Sequence, residues 1–168
     1  MTIAESILPE FDMEMAGTRK TLERVPDDKL EWKAHPSSNT IGWVGSHLVE
    51  IAGWVEGTLT QDTWDINPDG GEPYKSIPLK SHQEMLDQFD ANVTKGRKLI
   101  EQTTDEDFAK SWSLLSAGQP LITMPKIGVI RTWVLNHSIH HRAHLCVYLR
   151  LNKIPVPALY GPSGDEES

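Results

Sequence analysis

Asn136-His137-Ser138-Ile139-His140-His141-Arg142-Ala143-His144-Leu145 lies inside a longer run of helical periodicity, from about Pro125 or Lys126 to about Leu151. Its reading decides the fold. His137 and His141 are four residues apart, so they project from one helix face one turn apart. At 100° per residue His144 falls about 20° from His137, and His140 about 60° away. Ile130, Trp133, Val134 and Tyr148 share that stripe, which places the histidines along the apolar wall that faces the protein interior.

Working outward, three more segments carry the same period. The first spans about Thr2 to Arg24, with Ile3, Ile7, Phe11, Met15 and Leu22 on one face. Pro9 falls early enough to mark a first-turn restart or a kink. The second spans about Thr40 to Leu59, behind the N-cap candidates Ser37, Ser38, Asn39 and Thr40. The third opens on the capping-box pattern Ser81-His82-Gln83-Glu84 and continues through Met85, Phe89, Val93 and Ile100 to about Gln102. The Pro/Gly/Asp-rich stretch from Gln61 to Lys80 reads as a long surface loop. Thr104-Asp105-Glu106-Asp107 caps a short helix. Trp112 to Met124 reads as extended chain around a Ser-Ala-Gly turn, a small hairpin. Four long amphipathic helices in one chain predict an all-α fold, a four-helix bundle forming a single domain over residues 1–168.

The composition narrows the function. A chain of 168 residues is of single-domain size and can bury roughly 70% of its unfolded surface. A formal net charge of −8 argues against nucleic acid, whose backbone is held by clustered Lys and Arg. One cysteine, Cys146, excludes an internal disulfide and a thiolate metal cluster. The N-terminal residues have no basic region before an apolar run, and no stretch approaches the roughly 20 apolar residues of a membrane span. The expectation is a cytoplasmic protein with no membrane partner.

The seven histidines are the odd entry in that composition. In the second helix His47 shares a stripe with Trp43, Val44, Ile51 and Trp54, with Glu50 beside it. A single inward histidine is usually a core residue with one hydrogen bond. Several converging on one interior need partners, because buried polar rings are costly alone. Metal ligation meets that need, with His137 and His141 chelating from one helix and His47 from the facing one. Three nitrogens leave a coordination position open, the arrangement of a catalytic ion. The H-x-x-x-H spacing lacks the Glu of the H-E-x-x-H protease signature.

The block Asn136 to Leu145, with Ser46-His47-Leu48, resembles the DinB-like (DinB/YfiT) superfamily. Val147-Tyr148-Leu149-Arg150 and the tail Pro155-Val156-Pro157-Ala158-Leu159-Tyr160-Gly161-Pro162-Ser163 resemble one branch of it. The resemblance covers nearly the whole chain. It implies an up-down-down-up four-helix bundle, often a homodimer, with a divalent metal held by three histidines at the positions of His47, His137 and His141. Some relatives are metal-dependent transferases that use low-molecular-weight thiols such as bacillithiol or mycothiol. Others isomerise thiol adducts, and most have no known activity. Where the family often reads Arg-Gly-Gln, this chain has Arg142-Ala143-His144. His144 then becomes a second-shell hydrogen-bond partner, a fourth ligand or a substrate contact.

The resulting expectation is an enzyme whose Zn²⁺ or Ni²⁺ makes water or a thiol co-substrate nucleophilic, giving thiol S-transfer or hydrolysis of a small molecule. The rival is a non-catalytic dimeric metal-binding bundle with a stress-response or binding role. Glu50 is a candidate base or a partner orienting a histidine. His140 and His144 are second-shell or pocket candidates. Trp43, Trp54, Trp133 and Tyr148 are candidates for an apolar wall above the metal. Cys146, about 180° from His137, reads as a packing residue on the outer side of its helix. Arg142 and Arg150 point away from the histidines, to snorkel or pair with acids. His35 and His82 lie near helix ends, exposed. Asp165-Glu166-Glu167 reads as a solvated tail. Ordinary imidazole ligands would lose their metal as pH falls through about 6.5.

Overall fold

Thr2 starts α1 (Ile3–Leu22) with a reciprocal cap: its Oγ1 accepts the Glu5 N–H at 3.1 Å, and Glu5 Oε2 accepts the Thr2 N–H at 2.7 Å. The helix runs through Pro9 without restarting, with Pro9 on the exposed face. The computed structural model describes residues 1–165. Thr40 caps α2 (Ile41–Thr60) by accepting the Trp43 N–H at 3.0 Å. Ser81 caps α3 (His82–Gln102), and Thr104 caps the short α4 (Asp105–Ala109). The long helices pack α1 on α3, α3 on α2, α2 on the C-terminal helix and that helix on α1. Phe11, Met15, Leu48, Ile51, Met85, Phe89 and Leu145 are among the fully buried side chains between them.

The all-α, four-helix-bundle expectation is wrong. Three short strands form a mixed sheet beside the helices: β1 (Thr63–Asp65), β2 (Ser111–Ser116) and β3 (Gln119–Pro125), in the order β1-β2-β3. β2 and β3 are the hairpin around Ser116-Ala117-Gly118-Gln119. Ala117 and Gly118 both have positive φ, 50° and 69°, the requirement of a two-residue turn matched to strand twist. β1 comes from the stretch read as surface loop and lies parallel to β2. It is tied there by the Ile66 N–H to the Leu115 carbonyl (2.9 Å) and the Gly118 N–H to Asp65 Oδ2 (2.7 Å). Three residues between turn formers are too few for a periodic signal. Their pairing is non-local, and no spacing rule along the chain anticipates it.

The C-terminal helical run departs from the expected single helix. It consists of α5 (Lys126–Val129), a π-helical stretch (Ile130–Asn136) and α6 (His137–Leu151). A π turn is wider than an α turn, yet Trp133 still meets the histidine face that spacing assigned it, its ring 5.9 Å from that of His137. No helix among the described residues is long and apolar enough to cross a membrane.

Arg142 neither snorkels nor reaches the surface. It is buried against α1, donating to Glu14 Oε2 (2.6 Å), the Glu14 carbonyl (2.9 Å) and Tyr160 Oη (2.5 Å), while Tyr160 Oη donates to Glu14 Oε2 at 2.8 Å. A Cβ at Gly17 would lie 2.8 Å from Arg142 Nη1, so glycine there makes room for the guanidinium. Arg150 pairs with Asp165, which therefore is not a free tail residue; Glu166 and Glu167 lie outside the described residues. Cys146 is half-buried, with Sγ 3.9 Å from Thr21 Oγ1 of α1, on an inner contact rather than an outer face. With side-chain exposures of 2% and 4%, Arg142 and Glu14 are deep enough that breaking the pair strands a charge. Arg142→Met is expected to cost about 3–5 kcal/mol in urea unfolding, with most of it recovered by adding Glu14→Met. A loss in the single variant of under about 1 kcal/mol, the size of a surface pair, would contradict this.

Candidate metal centre

α2 and α6 bring His47, His137 and His141 together, with one ring nitrogen from each within 4.8 Å of the others. Ring centroids are 5.1 Å apart for His47 and His137, 4.7 Å for His47 and His141, and 4.6 Å for His137 and His141. The Nε2 atoms of His137 and His141 are 2.9 Å apart. Indoles surround the group. Trp43 stacks on His47 (4.6 Å, 24°), Trp54 meets His47 and His137 at 5.4 and 5.5 Å, and Trp133 meets His137 at 5.9 Å.

His47 is 8% exposed, and its Nδ1 lies 3.0 Å from Glu50 Oε2. Glu50 is held in turn by the Ser76 hydroxyl at 2.8 Å. Burial pushes the Glu50 carboxyl up, but hydrogen bonds from His47, Ser76 and Tyr74 outweigh it and keep it below the usual carboxylate range. An ionised Glu50 can only accept, so Nδ1–H of His47 donates to it and Nε2 is the ring atom turned to the group. The loop that supplies Ser76 and Tyr74 is anchored beside it, the Leu79 N–H donating to Ser46 Oγ at 2.7 Å.

Burial, then the nearby His47 and His140, push His137 down to about 4, with the Trp133 carbonyl acting the other way. Burial and then the four surrounding histidines push His141 down to about 3. Both are neutral at physiological pH, as ligands must be. Their Nδ1 atoms are buried and make no well-formed hydrogen bond. Three imidazoles, one oriented by a carboxylate, are a donor set suited to a borderline divalent ion such as Zn²⁺ or Ni²⁺. The residues fit the ion.

The remaining histidines separate. His140 and His144 meet edge to face (4.3 Å) and with His141 form a second, more exposed group, which includes neither His47 nor His137. Exposed His35 accepts the Ser37 N–H at 3.1 Å, while His82 is the partly buried first residue of α3. Tyr148 is not at the site: its ring pairs with Trp32 at 5.6 Å.

A cavity of about 570 Å³ opens against His47 and Glu50. Trp54, Trp64, Trp112, Trp133 and Tyr74 line it. So do Leu114 and Ile122, which with Trp64 form one row across the three strands. Trp64, Tyr74, Ser76 and Trp112 escaped the sequence reading. The only signal was the presence of aromatic residues in a stretch otherwise made of turn formers.

The match to a family model describing the DinB superfamily covers residues 10–145. This chain belongs to the DinB superfamily. A Bacillus subtilis (strain 168) protein, the uncharacterized protein YrdA, is 23% identical over 163 residues, 96% of this chain and 90% of its own length. A crystal structure of a DinB-like protein from Bacillus cereus ATCC 10987 matches with TM-score 0.75 and 23% identity over 95% of this chain and 98% of that one. The DinB-like YjoA of Bacillus subtilis matches with TM-score 0.65 and 15% identity over 96% and 99%. These likenesses share the fold.

The lowered histidine values change the pH behaviour expected of a bound ion. A ring whose value is depressed stays neutral until pH falls through that value, so protons compete at His137 and His141 only near pH 4. With His137 and His141 already neutral at pH 5.5, calorimetry in several buffers is expected to find no more than about one proton released per ion. Release of two or three protons would contradict the depressed values.

Proposed function

We propose that this DinB-superfamily chain holds one divalent cation, Zn²⁺ or Ni²⁺, on His47, His137 and His141. With it the chain would join a low-molecular-weight thiol to a small electrophile seated in the adjoining cavity. Three convergent imidazole nitrogens, one of them on His47 in the wall of an apolar cavity, carry the reading. When bound, such an ion supplies Lewis acidity that makes a thiol, or water in the hydrolytic variant of the reading, nucleophilic at neutral pH. Glu50 fixes the His47 tautomer and, ionised and engaged by Ser76, serves as a positioning residue rather than the base. The tryptophans exclude water and hold the electrophile.

The rival is a structural ion sealed in a non-catalytic binding protein. Sealing needs a fourth protein ligand, and among the described residues His140 and His144 group with His141 alone. The family resemblance supports a homodimer as the working form; a monomer by analytical ultracentrifugation would remove that part.

Purified without a polyhistidine tag, the protein is expected to carry close to one divalent ion per chain by plasma mass spectrometry, and His141→Ala to lose it. Full retention in that variant would overturn the ligand assignment. Glu50→Gln is expected to weaken metal affinity about 10–100-fold without unfolding the chain, as loss of an orienting carboxylate does. Unchanged affinity would remove Glu50 from the account. Consumption of a generic electrophile by the metal-loaded protein with a thiol, abolished by chelation, tests the transfer itself.

A further inference from the structure

The cavity beside His47 is walled chiefly by aromatic and aliphatic side chains, with Thr58 and Gln61 as uncharged polar neighbours, and among the described residues no Lys or Arg lines it. Among the described residues its one Asp, Glu, Lys or Arg is Glu50, an anion already engaged by His47 and Ser76. Lys126, the buried cation on α5, is committed to Asp62 (2.9 Å) and the Leu59 carbonyl (3.4 Å). A carboxylate placed among these walls would lose its hydration and gain no counter-charge. A cation at the histidines would compensate negative charge at that end only.

A second observation concerns Gly57, in the last turn of α2 and on the cavity wall. Glycine is a poor helix residue and is normally retained where a side chain would collide. That explains Gly53, one turn earlier, whose Cβ would lie 3.0 Å from Asn92 Nδ2. It does not explain Gly57, where an added Cβ meets nothing within 4 Å. The space that glycine leaves belongs to the cavity.

We infer that the cavity is a binding site for an uncharged aromatic molecule, with Gly57 keeping its floor open. This names the substrate class for the proposed function and rests on that reading. Indole walls favour a flat ring, because aromatic pairs gain from offset and edge-to-face geometry beyond the area they bury. The sheet builds one wall of this site, through the row Trp64, Leu114 and Ile122.

The test is calorimetric titration of the full chain, EDTA-stripped and metal-loaded, with naphthalene-2-methanol, its saturated decahydro analogue and 2-naphthoate. The aromatic alcohol is expected to bind both forms, with 2-naphthoate at least about tenfold weaker in the stripped protein. The saturated alcohol should also bind more weakly. Gly57→Leu, which fills the space and improves helix propensity, is expected to weaken the aromatic alcohol at least about tenfold while keeping metal content and Tm. Equal or tighter binding of 2-naphthoate to stripped protein, equal binding of the saturated alcohol, or indifference to Gly57→Leu would overturn the inference. The two readings fail separately. Absence of an ion with the alcohol still bound sinks only the metal, whereas a bound ion with no alcohol binding sinks only the aromatic ligand.

Discussion

Three imidazole rings crowded among indoles are the constraint around which the site is arranged. Each ring carries two nitrogens that water would satisfy, and burial removes most of that water. His47 is satisfied on one side by Glu50. His137 and His141 have chiefly each other, at 2.9 Å between Nε2 atoms. Such an arrangement is stable when a third party takes the lone pairs, and a cation does so for all three rings at once. The depressed histidine values follow from the same crowding, since rings this close and this dry cannot all be protonated.

The rest of the chain holds α2 and α6 in that relation. Arg142 lies next to His141 in sequence but points to the opposite side, where Glu14 and Tyr160 fasten α6 to α1. The π-helical turn immediately before His137 brings Trp133 onto the histidine face. On the far side of His47, the loop after α2 returns to supply Ser76 to Glu50, and its short strand completes the sheet that walls the cavity. Helices position the three histidines; the sheet and loop shape the cavity beside His47.

How much of this was legible follows from the range of each signal. Helical periodicity is local and repeated, so α1, α2 and α3 are readable to within a residue or two, and His137 and His141 fall on one face by counting. His47 opposite them needed only an inward stripe on a second helix. The sheet was illegible because β1 has three residues and pairs with a partner fifty positions away. Tyr148 was misplaced because a shared stripe does not fix how far along the helix the site extends. Arg142 was read as snorkelling or pairing with an acid; the pairing holds, but charge alone predicts exposure and cannot name a buried acid on another helix as the partner. The cavity depends on four segments at once, and only its helical tryptophans, Trp54 and Trp133, could be named from spacing.

The central claim is that three histidines hold an ion and leave it an open position. X-ray absorption at the metal edge of the tag-free protein tests it most directly. The account predicts three imidazole nitrogens in the first shell plus a light-atom ligand that a small thiol replaces with sulfur. A shell of four imidazoles unaffected by thiol, or one with fewer than three, would contradict it.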